Sequence, residues 1–288
     1  MGFLVTINTN GTLINTKWAN FFSKHRCKHF NITLYGKDDE TYKNLCHNSN
    51  GFSSVMRAAT LLKERNIPFT FTSSLISENA HQLEELYQIA QKLEVPYKPA
   101  TYMFPAIRRN ISANKQNRLS PQDAAYYMLK YYELGKSSKE MNDFVHSQLT
   151  RLFLPPRLVI AKDKKGYPCR GGKSGFWITW QGLLTSCAML EHPQMNLLIH
   201  PFEKCWKYIV DQTKEVLYCD KCLNCSKQNI CHVCPAAIYT ETLDFQKNPE
   251  YICEYTDELI NLLLQFLSPE EQLPYKCALQ NGGFKQIF

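Results

Sequence analysis

Residues 219–234 read CDKCLNCSKQNICHVC and place Cys219, Cys222, Cys225, Cys231 and Cys234 within sixteen positions. Thiolates hold soft metals, and several at gaps of two to five residues can converge on one centre. Outward from this run stand Cys169, Cys187, Cys205 and Cys253, so nine of the 12 cysteines fall between 169 and 253. Three readings compete. A disulfide framework belongs to short secreted domains, whereas this chain has 288 residues and shows no secretory n-region or cleavage site. A structural zinc site fits Cys219-x2-Cys222 with Cys231-x2-Cys234, but leaves Cys225, Cys169, Cys187 and Cys253 unused. Iron–sulfur clusters take four cysteines each, so two of them would use most of the nine. The count favours clusters.

Composition narrows the class further. Apolar residues make up 44% and charged residues 20%, as in an ordinary globular protein. The apolar run Leu259 to Leu267 is broken by Asn261 and Gln265, so no membrane span is expected. Net charge is +7, but lysines and arginines are scattered. The pair Arg108-Arg109, with Arg118 nearby, reads as a solvated loop, and no nucleic-acid partner is expected. Many free thiols and no export signal predict the reducing cytoplasm.

The N-terminal part alternates strand and helix. Phe3 to Asn8 reads as a buried strand, and Thr9-Asn10-Gly11 as a turn. Lys17 to Lys24 reads as a helix and Phe30 to Tyr35 as a strand ended by Gly36. Phe52 to Arg65 is an amphipathic helix stopped by Pro68; Phe69 to Ser74 is a strand; Leu83 to Leu93 is a helix; Tyr97 to Met103 is a fourth strand. This order predicts βαβ units, with helices outside a parallel sheet and ligands at the carboxyl ends of its strands. Ser120 is expected to cap a helix with Pro121 in its first turn and Asp123 returning to the cap. A second helix is expected from Lys139 to Leu152. Gly175 to Ser186 predicts a hairpin turning at Gly182, which brings Cys169 near Cys187. Pro201 to Val216 predicts a helix with Phe202, Trp206 and Ile209 inward and Cys205 a packed thiol. Cys253 is expected to open a last helix, with a featureless tail after Pro269 that carries Cys277 alone.

The spacing Cys169-x12-Gly182-x4-Cys187, then Cys222-x2-Cys225-x5-Cys231-x2-Cys234, then Cys253, resembles the SPASM domain of radical S-adenosylmethionine (radical SAM) enzymes. The family spaces its last close pair by three residues rather than two. Upstream, Ile7-Asn8-Thr9-Asn10-Gly11-Thr12-Leu13, Ile32-Thr33-Leu34-Tyr35-Gly36, Thr41-Tyr42, Gly51-Phe52, and Ser73, Ser74 and Asn79 resemble the middle of a radical SAM barrel. The resemblance implies an α/β fold: a partial radical SAM (βα) barrel over 1–110, a helical linker over 111–160, a small α+β SPASM domain over 161–267, and a tail over 268–288.

By position the resemblance assigns Cys169, Cys187 and Cys234 to a first auxiliary 4Fe–4S cluster. It assigns Cys222, Cys225, Cys231 and Cys253 to a second. Ser174 and Gly175 stand where many members place a fourth cysteine of the first set, and Cys219 is an extra thiol that could serve either set. His232 is not expected to ligate. Redox tuning is expected from burial under Phe176, Trp177 and Trp180. Contacts to S-adenosylmethionine are implied at Asn10, Thr33 and Ser73. The family's catalytic motif, C-x3-C-x2-C, occurs nowhere in these residues, and neither does its Gly-Gly-Glu segment. The expectation is a relative of peptide- or sulfatase-maturing enzymes that lacks the catalytic-cluster part, partnered by a peptide or protein substrate and an electron-donating reductase. The alternatives are a non-catalytic iron–sulfur peptide-binding or electron-transfer module, and a structural zinc protein.

Overall fold

Runs of β-branched and aromatic residues separated by amphipathic helices build the first part of the chain. The computed structural model describes residues 2–105, 117–155, 165–231 and 233–280. Arg108, Arg109 and His232 lie outside them. The chain divides into two compact units, Met1–Met103 with Asn117–Lys136, and Phe104–Gln116 with Ser137–Phe288.

The first unit runs β1 (Thr6–Thr9), α1 (Thr16–Lys24), β2 (His29–Thr33), α2 (Asp39–Cys46), α3 (Gly51–Lys63), β3 (Phe69–Ser74), α4 (Leu83–Lys92), β4 (Tyr97–Ala100) and α5 (Pro121–Glu133). The strands pair in chain order and all in parallel, as expected. Residues in register share a face of a sheet. Phe30 pairs with Phe69 and Ile32 with Phe71, and all four are buried. On the opposite face Asn31 stands between Asn8 and Thr70, and Thr72 between Thr33 and Lys98. The sheet is thus apolar on the side buried with α3 and polar on the other.

Two expectations fail here. Phe3, Leu4 and Val5 are exposed rather than buried, because β1 starts only at Thr6 and lies at the sheet edge, pairing with β2 alone. Helix α2 was not expected. Its signal is Asp38, whose carboxylate accepts the Thr41 N–H at 2.8 Å, followed by Asp39 and Glu40 in the first turn. The helix accounts for a spaced motif. A Cβ on Gly36 would overlap Thr41, and one on Gly51 would overlap the ring of Tyr42. Tyr42 is fully buried and accepts the Tyr35 N–H at 3.1 Å. Gly36, Thr41, Tyr42 and Gly51 therefore form one packed junction of β2, α2 and α3.

The second unit begins with α6 (Ser138–Leu149), entered through a capping box between Ser137 and Glu140. A three-stranded antiparallel sheet follows, β5 (Trp177–Ile178), β6 (Leu183–Thr185) and β7 (Gln194–Asn196). The remaining helices are α7 (Phe202–Lys214), α8 (Asp220–Leu223), α9 (Gln228–Cys231), α10 (Pro235–Thr242), α11 (Glu250–Leu264) and α12 (Pro269–Gln280). The hairpin turns at Gly182, whose φ is +79°. Strand β7 extends it; three residues are too few to show alternation in sequence. Cys205 packs with Leu184 and Ile209, all buried. Phe202 is 41% exposed rather than inward, since its ring lies on Phe176 and Trp206 at the surface. Cys253 sits within the first turn of α11 and not at its start. The expected tail forms α12, tied to α6 by Tyr275 and His146 at 2.8 Å, with Cys277 exposed.

Candidate metal centres and the polar sheet face

In the first unit, Asn10, Thr33 and Ser73 lie at the carboxyl ends of β1, β2 and β3. Asn10 Oδ1 accepts from Thr12 N and Thr12 Oγ1 at 3.2 and 3.0 Å, at the exposed surface. Thr33 is half-buried, and its carbonyl accepts from the Tyr42 hydroxyl at 3.4 Å. Ser73 is buried and donates to the Leu34 carbonyl at 2.6 Å. Asn79 is also buried, and bonds Tyr35 O, Ser74 O and Ile76 N. Sequence reading missed the side chains of the polar face: Asn31 donates to Asn8 at 2.7 Å, and His29 meets Thr70 at 2.8 Å. The alternation His29-Phe30-Asn31-Ile32-Thr33 was the available signal.

In the second unit the thiols sort by neighbourhood. Cys187 is raised above the usual thiol range by burial, with the charge of Cys169 adding to it. Cys234 is raised likewise, with Cys187 and Cys169 adding. Each of these three sulfurs accepts a backbone N–H: Gly171 on Cys169 at 3.4 Å, Met189 on Cys187 at 3.5 Å, and Ala237 on Cys234 at 3.4 Å. The donors lie two or three residues downstream, so the local turn places them. Two buried tyrosines adjoin the same trio. Tyr167 packs on Cys187 and Cys234, and Tyr218 donates its hydroxyl to Gly166 O.

A second neighbourhood gathers around α8, α9 and the start of α11. Burial raises Cys222, and Cys219, Cys253 and Cys231 add to the shift. Burial pushes Cys231 up to about 11, with Cys253 and Cys225 adding and the side chain of Thr256 opposing. Cys253 is raised by burial, while Lys221 and Lys227 pull it back. Cys219 is buried and stands against Cys222. Among the described residues, no three His, Cys, Asp or Glu side chains converge closely enough to hold a single metal ion. The aromatic cover expected over the thiols is not formed: Phe176, Trp177 and Trp180 are exposed, Trp180 by 82%. They sit on the outer part of the hairpin, where Phe176 meets Phe202 and Trp206 instead.

A parallel βα sheet followed by a small thiol-rich α+β unit defines a class of protein. Residues 1–90 match the Radical SAM superfamily. The AdoMet-dependent heme synthase of Methanosarcina barkeri (strain Fusaro / DSM 804) is 21% identical over 268 residues, covering 88% of this chain and 75% of that protein. Among solved structures, anSMEcpe with bound AdoMet aligns with a TM-score of 0.61 at 17% identity, over 96% of this chain and 74% of its own. Native anSMEcpe with bound AdoMet and Kp18Cys peptide aligns at 0.63, with 16% identity, over 96% and 75%. Streptococcus suis SuiB bound to S-adenosylmethionine aligns at 0.58, with 14% identity, over 87% and 59%. The family match lies in the first 90 residues, and the fold is similar to that of anSMEcpe over most of the chain. No described helix is long and apolar enough to cross a membrane.

Proposed function

We propose that the second unit binds two auxiliary 4Fe–4S clusters, one on Cys169, Cys187 and Cys234 and one on Cys222, Cys225, Cys231 and Cys253, and that the protein acts on or holds a peptide in the cytoplasm. The observation that carries this reading is the sorting of the thiols. Each set is its own electrostatic neighbourhood, and burial raises Cys187 and Cys234 in the first and Cys222, Cys231 and Cys253 in the second. Buried thiols that crowd one another repel once ionised, and a bound cation removes that conflict. A cluster spreads its ligands wider than a single ion does, in keeping with the absence of a close trio among the described residues. Backbone N–H groups on the first trio, and Lys221 and Lys227 beside Cys253, would hold the negative charge of thiolate-bound iron and tune its potential. Such clusters supply one-electron transfer when bound. A peptide partner is supported by the fold shared with anSMEcpe, which has been solved with peptides bound.

The polar sheet face offers Asn10 and Thr33 at its carboxyl end as contacts for S-adenosylmethionine. The 288 residues do not fit a catalytic cluster, because they contain no C-x3-C-x2-C loop. That observation favours a second reading, an electron-transfer or peptide-holding module that serves a complete enzyme. The two readings separate on anaerobic incubation with a strong reductant and S-adenosylmethionine. No 5′-deoxyadenosine above a cluster-free control is expected from this chain, and turnover would overturn the second reading. Metal analysis tests both. Iron and sulfide are expected in the anaerobically reconstituted protein, and stoichiometric zinc with negligible iron would sink the cluster assignment.

A further inference from the structure

Cys169, Cys187 and Cys234 make three ligands where a 4Fe–4S cluster takes four. We infer that Tyr167 is the fourth, binding the remaining iron through its phenolate oxygen, with the Ser186 hydroxyl donating a hydrogen bond to that oxygen. The inference rests on reading the trio as a cluster site.

Position comes first. Tyr167 Cδ2 and Cys169 Sγ border one space, the one that a Cβ on Gly171 would occupy, so the tyrosine stands beside Cys169. Its ring is 3% exposed and packs on Cys187 and Cys234. The backbone holds it there through the bridge of Lys165 to Leu217, where Gly166 N–H donates to Val216 O at 2.9 Å. Gly171 keeps the space open. A Cβ there would stand 2.9 Å from Ser186 O, 3.2 Å from Tyr167 Cδ2 and 3.5 Å from Cys169 Sγ.

Satisfaction comes second. Buried hydroxyls nearly always complete a hydrogen bond, and an exception calls for a cause such as an ion. Tyr167 Oη and Ser186 Oγ are both buried and complete none of good geometry, although Ser186 faces the phenol. The two orphans stand together, at the set that is one ligand short.

The rival ligands are committed elsewhere. Tyr218 also adjoins Cys169 and Cys234, but its hydroxyl donates to Gly166 O. Cys219 stands against Cys222, and Cys205 is enclosed with Leu184 and Ile209. Ser174 is exposed, in a turn closed by Gly175 N–H on Arg170 O.

Ligation exchanges the phenol O–H bond for an iron–oxygen bond. The proton leaves to solvent and no electron moves. An adjacent metal cation reverses the preference of a buried phenol for its neutral form. An oxygen donor is harder than a thiolate and holds iron less firmly, so this corner is the one from which iron departs first.

The test uses the full chain reconstituted anaerobically with iron and sulfide. Resonance Raman spectra should show iron-bound tyrosinate modes that shift when the protein is grown on ring-deuterated tyrosine. Tyr167→Phe should lose those modes, and mild ferricyanide oxidation should then raise its three-iron electron-paramagnetic signal several-fold over the parent. Tyr167→Cys should restore the fourth iron without the tyrosinate modes. Absence of tyrosinate modes in the parent, while Cys169→Ala lowers its iron, would refute Tyr167 as the ligand and leave the cluster reading standing. Loss of the modes in Tyr218→Phe but not in Tyr167→Phe would refute it as well. Full iron retention in Cys169→Ala would overturn both. The labelled parent protein needs no substitution, so a variant that fails to fold does not block the test.

Discussion

Tyr42 in the first unit and Cys222 in the second are both buried acids whose ionisation burial opposes. Tyr42 accepts a backbone N–H, fills the space left by Gly51 and has the half-buried Tyr35 as its aromatic neighbour. Cys222 has Cys219, Cys231 and Cys253 as its electrostatic neighbours. The first arrangement is complete as a protein. On the proposed ligand assignment the second becomes favourable when a cation arrives, because like charges that repel one another are then drawn to a common centre. The two units should therefore answer differently to metal.

The largest expected difference comes from withholding iron. Amide exchange in α8, α9 and the start of α11 should accelerate by orders of magnitude, since cluster binding and folding of a ligand loop are linked by several kcal/mol or more. Exchange in β2 and β3 should not change; equal protection with and without iron would erase the contrast. Next, Cys225→Ala and Cys253→Ala should each lose one cluster's worth of iron by colorimetric assay. Cys46→Ala and Cys277→Ala, at exposed thiols, should lose none. Equal iron in all four would break the ligand assignment.

The reverse perturbation lies in the first unit. Gly51→Ala drives a methyl into the Tyr42 ring, and overpacking of this kind costs about 1–3 kcal/mol. Thermal or urea unfolding of the first unit should register it while iron per chain stays constant. The smallest effect is that of Tyr42→Phe. Loss of the hydroxyl, which accepts from Tyr35 N–H and donates at longer range to Thr33 O, costs about 1 kcal/mol at neutral pH. Burial raises the folded phenol above the unfolded value of about 10, so the native state keeps a proton that the unfolded state gives up. That stability is present below about pH 10 and is lost as pH rises towards the folded value. The variant should show a shallower alkaline fall in stability, and an unchanged slope would remove Tyr42 as its cause.

Much of the first unit was legible because its signals are local. The β-branched runs at Phe30 and Phe69 and the helical stripe of Val55, Ala58, Ala59 and Leu62 each fall on one element. Ser120 caps α5 by accepting the Asp123 N–H at 3.0 Å, a bond written in four consecutive residues. Helix α2 escaped because eight residues offer too few apolar positions for a period to emerge. Phe176 and Trp180 misled because hydrophobicity does not say which rings a tertiary fold leaves outside. In the thiol unit the residue types were plain, whereas their sorting into two sets came from resemblance. Tyr167 carried no signal at all. A lone tyrosine in a Gly- and Lys-rich loop becomes distinctive only when the chain path brings Cys187 and Cys234 against it.

The junction at Gly36 and Gly51 has a mechanical meaning. Thr41 and Tyr42 are consecutive residues on α2, so their side chains leave the helix about 100° apart. One fills the space above Gly36 in the turn after β2, and the other fills the space above Gly51 at the start of α3. A helix of eight residues thereby works as a two-toothed key. It indexes the strand and the following helix against each other about two axes at once, which a single contact cannot do. The carboxyl end of β2, where Thr33 stands, is aligned by a component too short to be stable alone.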